Sequence, residues 1–213
     1  MQLIFDIGSN VGNFCHSWSQ LHPDCSFICV EPNIDFLLLN ADTMYDKCNN
    51  VNILPYAAGD EDNKEAVFYT NDIFHTISTC NEAWVSDSRF NNLGAKWHNR
   101  VVKTITIETL IKKYGMPDYL KIDVEGFELT ALHGLASKVP LLSFEWAEEL
   151  CDEMLNCVNY LYSIGYSDFY MKEFDDYTDI PDSYSFYDLN SCIELINSLD
   201  PSRKDKWGQI FAK

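Results

Sequence analysis

The sequence is short of positive charge. Against 33 aspartates and glutamates it sets only 15 lysines and arginines, a formal net charge of −18 over 213 residues. Affinity for a phosphate backbone comes largely from cations that displace counterions, so nucleic acid is excluded as a partner. The same shortage, with no basic amphipathic helix, counts against a bound anionic membrane. No apolar run approaches the roughly 20 residues of a membrane helix. The eight cysteines, Cys15, Cys25, Cys29, Cys48, Cys80, Cys151, Cys157 and Cys192, contain no C-x-x-C pair. With no signal peptide ahead of them they read as reduced core residues of a cytoplasmic protein. Cys25 and Cys29 lack the second pair or histidine cluster that would complete a tetrahedral metal site. No Gly/Ser/Pro-rich linker interrupts the chain, so residues 1–213 read as one domain.

What is present is an alternation of short apolar runs with segments of helical period, the pattern of a parallel sheet covered by helices on both faces. Strands are predicted over 2–6, 26–31, 51–58, 117–125 and 140–146, and helices over 11–20, 34–45, 127–136 and 148–164. Between the third and fourth strands, EAVFYT (65–70) and RVVKTITI (100–107) bracket a long irregular stretch, which reads as a lid. The tail adds a strand near 167–171, an acidic aromatic loop over 173–188, a helix near 188–199 and a last strand in KWGQIFA. The fold class is α/β: a doubly wound, mostly parallel, seven-stranded Rossmann-like sheet with helices on both faces and an antiparallel last strand. A first strand that begins at residue 2 leaves one edge uncovered, so the chain is expected to be a domain excised from a longer polypeptide.

FDIGSNVGNF (5–14) occupies the first strand-to-helix loop, where doubly wound sheets bind ligands. Asn10 stands where a dinucleotide fingerprint needs its second glycine, and no lysine completes a phosphate loop. Nicotinamide, flavin and nucleoside triphosphate ligands are disfavoured. Asp6 ends the strand just ahead of Gly8 and Gly12, and a carboxylate there favours a cationic ligand. Glu31 in CVEPN ends the second strand, where an acidic side chain can accept both ribose hydroxyls before Pro32 turns the chain. Ala58 or Asp60 in AAGDED could meet an adenine. Ammonium, sulfonium, ribose and adenine together describe S-adenosylmethionine.

FDIGSNVGNF, VEPN, NILPYAAGDEDN and the long block TIETLIKKYGMPDYLKIDVEGFELTALHGL, which ends at Leu135, resemble the FkbM-type S-adenosylmethionine-dependent methyltransferases from residue 3 to about 146. The resemblance implies an O-methyltransferase acting on a hydroxyl of a sugar or glycan. Carried over position by position, it implies that Asp6, Gly8, Asn10 and Gly12, with Ser9 and Asn13 beside them, hold the methionine end. It gives Glu31 and Pro32 to the ribose, Ala58 and Asp60 to the adenine, and Asp123 to the reactive methyl. Family members usually carry a helical segment ahead of the first strand, which this chain lacks. Linked glycosyltransferase domains in a parent chain would fit that departure. The alternatives are a methyltransferase for another small hydroxylated metabolite and a non-catalytic glycan-binding module of the same fold.

KIDVEGFE (121–128) places Asp123, Glu125 and Glu128 at the end of the fourth strand, with Asp123 and Glu125 on one face of an extended segment. Close carboxylates raise one another's pKa, which yields a base usable near neutral pH. The candidates for taking the acceptor's proton are Asp123, Glu145 and His75. Thr76, Ser78, Glu125 and Trp146 are candidates for holding the acceptor, with Trp84 and Trp97 also able to stack on a sugar. Glu128 reads as a charge in the first turn of the following helix. His133 reads as structural, and His16, His22 and His98 show no partner pattern. No metal is required; Mg²⁺ could sit at Asp123 and Glu145 with Glu125 beside them.

Overall fold

The computed structural model describes residues 3–34, 44–48, 50–71, 73–91, 96–174, 177 and 180–213. The chain begins with β1 (Leu3–Ile7), α1 (Asn13–Leu21) and β2 (Ser26–Val30), then a 3-10 turn at Met44–Lys47 and β3 (Val51–Leu54). A small three-stranded sheet follows, made of β4 (Ala57–Ala58), β5 (Glu65–Asn71) and β6 (Trp97–Ile105), with α2 (Glu82–Asp87) between the last two. The main sheet then resumes through α3 (Ile107–Tyr114), β7 (Tyr119–Ile122), α4 (Glu128–His133) and β8 (Leu142–Ala147). It is completed by α5 (Cys151–Ser163), β9 (Phe169–Glu173), α6 (Leu189–Asn197) and β10 (Trp207–Ala212).

The main sheet has the order β3-β2-β1-β7-β8-β10-β9. Its first five strands are parallel, and β10 runs antiparallel between β8 and β9. This is the doubly wound, mostly parallel sheet with an antiparallel last strand that the sequence pattern predicts. Strand side chains alternate between faces, and both faces are buried, so the strands are apolar almost throughout. Phe5, Ile7, Leu120, Ile122, Ile210 and Ala212 pack in one core with α3, α4, α5 and α6, while Ile4, Tyr119 and Phe211 pack on the opposite face with Phe14, Cys15 and Trp18 of α1. No helix among the described residues is long and apolar enough to cross a membrane.

Four local expectations change. The strand expected over 51–58 breaks at Pro55, whose ring cannot donate to a ladder; Ala57 and Ala58 pair instead with Thr104 and Ile105 of the small sheet. α3 lies in a segment without a predicted helix, although Thr106 caps it by accepting a hydrogen bond from the Thr109 N–H at 3.1 Å. α2 forms inside the stretch read as irregular, capped by Asn81. β7 ends at Ile122, so Asp123 and Glu125 are loop residues and do not share a strand face. Most of the helix expected over 34–45 lies outside the described residues.

Glu128 opens α4 from a buried position and accepts the Val124 N–H at 2.9 Å, bonding the preceding loop. Burial first, then Glu153, push its carboxyl up to about 8. Because the folded state holds a proton that the unfolded chain has released, stability is full below the ordinary carboxyl range and falls as pH rises toward 8. Relative to Glu128→Gln, which keeps an acceptor oxygen, the wild type should lose up to about 1.4 kcal/mol per pH unit between roughly pH 5 and 8. Urea unfolding at several pH values reads this difference; parallel curves for the two proteins would remove Glu128 as its source.

Candidate active site

The parallel strands deliver the ends of β1, β2, β7 and β8 to one edge of the sheet, and the loops there enclose a cleft. The first loop is held by backbone and side-chain bonds together. Gly8 N–H donates to Val30 O at 2.8 Å, and Asn10 N–H donates to Glu31 Oε2 at 2.9 Å. The Tyr45 hydroxyl reaches Ser9 Oγ at 2.7 Å and Asn10 O at 2.8 Å. Gly8 has a φ of +79°, and a Cβ built on it would lie 1.7 Å from the Asp123 carbonyl oxygen, so the loops after β1 and β7 touch only because the side chain is absent. Gly12, with a φ of +87°, does the same against the ring of Tyr45.

Glu31 is buried, with Oε1 accepting the Asn33 N–H at 2.7 Å. Burial raises its pKa, and its two backbone donors and Arg100 pull it back. A carboxylate that already orients the loop through one lone pair on each oxygen keeps further lone pairs for a ligand.

Three carboxyls converge at the other end of the cleft. Oxygens of Asp123, Glu125 and Glu145 all lie within 4.8 Å of one another. Lys121, buried in β7, donates from Nζ to Asp123 Oδ2 at 2.6 Å and sits 5.6 Å from the ring centres of Phe14 and Tyr177. Burial first, and the charge of Asp123 next, raise Glu125 and Glu145 well above the ordinary carboxyl range. Glu125 takes a left-handed backbone at φ 55°, which costs a residue with a Cβ roughly 1–2 kcal/mol. Two side chains from the small-sheet region hold it there: Thr79 Oγ1 donates to Glu125 O at 2.8 Å, and Asn81 Nδ2 donates to Gly126 O at 2.7 Å. Lys121 already supplies one cation to this group, which works against a divalent ion at the same oxygens.

Of the residues singled out from sequence, Asp6, Gly8, Ser9, Asn10, Asn13, Glu31, Pro32, Ala58, Thr76, Ser78, Asp123, Glu125 and Glu145 line the cleft. Four do not. Gly12 packs under the loop against Tyr45. Asp60 is exposed and pairs with Lys64 at 3.2 Å, because the turn after β4 faces solvent. Trp146 is buried on β8 with its indole N–H on Lys172 O at 2.9 Å, since strand alternation turns it away from Glu145. His75 spends its ring on the loop: Nδ1 lies 2.7 Å from Asn10 Oδ1, while Asn10 Nδ2 donates to His75 O at 3.0 Å. Burial lowers its pKa. This reciprocal pair brings the 73–80 segment down on the first loop, and the cleft is narrow, about 170 Å³, below the roughly 300 Å³ of ordinary small-molecule sites.

Lys121, Phe68, Cys80, Tyr177 and Trp207 also line the cleft and were not singled out. A lysine inside the buried run YLKI was a signal for an internal ion pair. Trp207 reaches the reactive edge because the last strand runs antiparallel, which sets its first residue opposite Ala147.

A model of the methyltransferase FkbM domain matches residues 6–166. Among solved structures, the chain resembles the methyltransferase FkbM from Methylobacillus flagellatus KT, at 16% identity and a TM-score of 0.55, over 100% of this chain and 43% of that one. It also resembles precorrin-6y C5,15-methyltransferase from Geobacter metallireducens GS-15, at 12% identity and a TM-score of 0.48, over 100% of this chain and 81% of that one. A SAM-dependent O-methyltransferase from Thermotoga maritima follows, at 10% identity and a TM-score of 0.47, over 99% and 58%. The first likeness shows a shared fold, and the chain spans less than half the length of that FkbM protein. No curated protein matches the sequence.

Removing the cation from the carboxyl group tests its structural weight. Lys121→Met should destabilise the protein by about 3 kcal/mol near neutral pH, as expected when one partner of a largely buried pair is left unpaired. The deficit should shrink in acid as the carboxyls take up protons; a pH-independent loss in urea unfolding would assign it to packing.

Proposed function

The chain belongs to the FkbM methyltransferase family, and on that premise we propose that it carries a methyl group from S-adenosylmethionine to a hydroxyl oxygen of a sugar or glycan. The observation that supports this most is the acidic cleft at the carboxyl edge of the sheet, where the first loop, Glu31 and the Asp123 group face one space. S-adenosylmethionine, when bound, supplies an electrophilic methyl on a positively charged sulfur. Asp6, Gly8, Ser9, Asn10 and Asn13 hold its amino-acid end, with Gly12 shaping the loop. Glu31 and Pro32 take the ribose. Ala58 lies by the adenine together with Phe68, and Asp123 lies by the methyl.

The residues of this chain have two tasks in an in-line displacement: aligning the acceptor oxygen and excluding water. Thr76, Ser78, Glu125 and Glu145 all line that space. The acceptor hydroxyl has to lose its proton as it attacks. Asp123 is tied to Lys121, so Glu145, aided by Glu125, takes that proton, with Asp123 fixing the charge of the group. His75 acts as a latch on Asn10. Activity should therefore rise with pH as the raised carboxyls of Glu125 and Glu145 give up their last proton. A cytoplasmic location and a glycan built by linked glycosyltransferase domains complete the proposal.

Calorimetry should show S-adenosylmethionine binding that Glu31→Ala weakens at least tenfold. Transfer of labelled methyl to a panel of glycans, with and without EDTA, reads acceptor and metal dependence together. Asp123→Asn should cut turnover a hundredfold or more while unfolding cooperatively. Absence of any heat with the cofactor would mark the domain as a non-catalytic module; near-normal turnover in Asp123→Asn would remove that residue from the reaction.

A further inference from the structure

A second cavity, of about 570 Å³, lies against the cleft and shares Thr76, Glu125, Glu145 and Trp207 with it. Its volume falls in the range of small-molecule sites. The wall common to both is the one that carries the carboxyls. Beyond that wall its character changes: Phe74, Ile77, Trp84, Phe90 and Ala147 make it predominantly apolar. Trp84 is buried and stands edge-on to Phe90 at 5.6 Å, while Phe74 and Trp207 remain 40% and 39% exposed. Large aromatics left half exposed at a cavity mouth cost hydration free energy unless a ligand covers them. Trp207 is also fixed in place: the Arg89 guanidinium lies 5.7 Å from its ring centre, and Phe174 stands edge-on at 5.2 Å.

The charges restrict what can enter. Among the described lining residues Arg89 is the one cation, and it is engaged by Glu149 through Nε at 2.9 Å and by the Lys206 carbonyl at 2.8 Å. Among the described lining residues no unengaged cation remains to replace the water that an anionic ligand would lose on entry. A neutral ring that is apolar on one face and hydroxylated at its edge meets every wall favourably, with C–H groups on the aromatic rings and hydroxyls on the carboxyls.

We propose that this second cavity is the acceptor subsite, and that it takes a neutral pyranose with its C–H face on Trp207 and Phe74 and its reacting hydroxyl at the Glu125–Glu145 wall. This rests on the methyl-transfer reading above and adds the location and charge class of the acceptor. Sugars that carry a carboxylate or phosphate are then poor acceptors. Trp207, on the wall shared with the cleft, and Phe74, which lines the second cavity alone, set acceptor specificity.

Both residues are partly exposed, so Trp207→Ala and Phe74→Ala should fold. Each should raise KM for a neutral methyl glycoside three- to tenfold and keep kcat within about twofold, and Phe74→Ala, at a residue of the second cavity alone, should leave S-adenosylmethionine affinity by calorimetry unchanged. Glucuronic acid should be methylated at least tenfold less efficiently than glucose. Equal loss of cofactor affinity in the variants would assign the cavity to the cofactor, and equal use of the acidic sugar would overturn the charge argument. Saturation-transfer NMR with millimolar methyl glucoside and saturating cofactor reads the subsite without turnover. Transfer to the ring C–H protons in the wild type and not in Trp207→Ala supports the subsite even where no methyl moves, which would count against the methyl-transfer reading alone. No transfer in the wild type overturns the inference.

Discussion

One buried ammonium organises the reactive edge of this protein. Lys121 lies in β7 beside Asp6 of β1 in register, and its Nζ bonds Asp123 just beyond the strand. Without that charge, Asp123, Glu125 and Glu145 would be three half-buried carboxyls gathered within 4.8 Å, each raising the cost of ionising the others. With it, Asp123 is oriented by an ammonium, while burial and the charge of Asp123 push its two neighbours above the ordinary carboxyl range. A difference of ionisation among chemically similar groups is what separates a fixed charge from a proton acceptor.

Around that point the backbone is held in conformations that it would not choose alone. Asn10 and Glu125 both have positive φ, at 46° and 55°, and each is clamped by the same region, the crossing from the small sheet into α2. His75 bonds Asn10 on one side, while Thr79 and Asn81 bond the carbonyls of Glu125 and Gly126 on the other. The small sheet is therefore more than a cover. It fastens the cofactor loop and the carboxyl loop to one segment, so that movement of 73–81 would release both ends of the cleft together.

Much of this was legible in the order of residues. Asp6, Gly8, Glu31 and Asp123 were readable because each sits at a strand end, and in a parallel sheet all strand ends meet along one edge whatever the details of packing. Trp146 was misplaced because a strand boundary shifts easily by a residue or two and alternation turns such a shift into the wrong face. Asp60 was misplaced because Pro55 ended the third strand early and sent the following turn to solvent. Trp207 and Lys121 were passed over because their meaning depends on neighbours, Ala147 and Asp6, that are far away in sequence.

The sequence by itself determined the fold class, the family, and which strand ends meet along one edge of the sheet. Hydrophobic period and strand-end chemistry are local, and they survive any arrangement of loops. The tertiary structure alone decided which carboxyl Lys121 binds, that His75 meets Asn10, and which tryptophans line a cavity. Those outcomes depend on burial and on distances of a few ångströms between residues brought together only by folding, and electrostatic and packing energies change most steeply over that range.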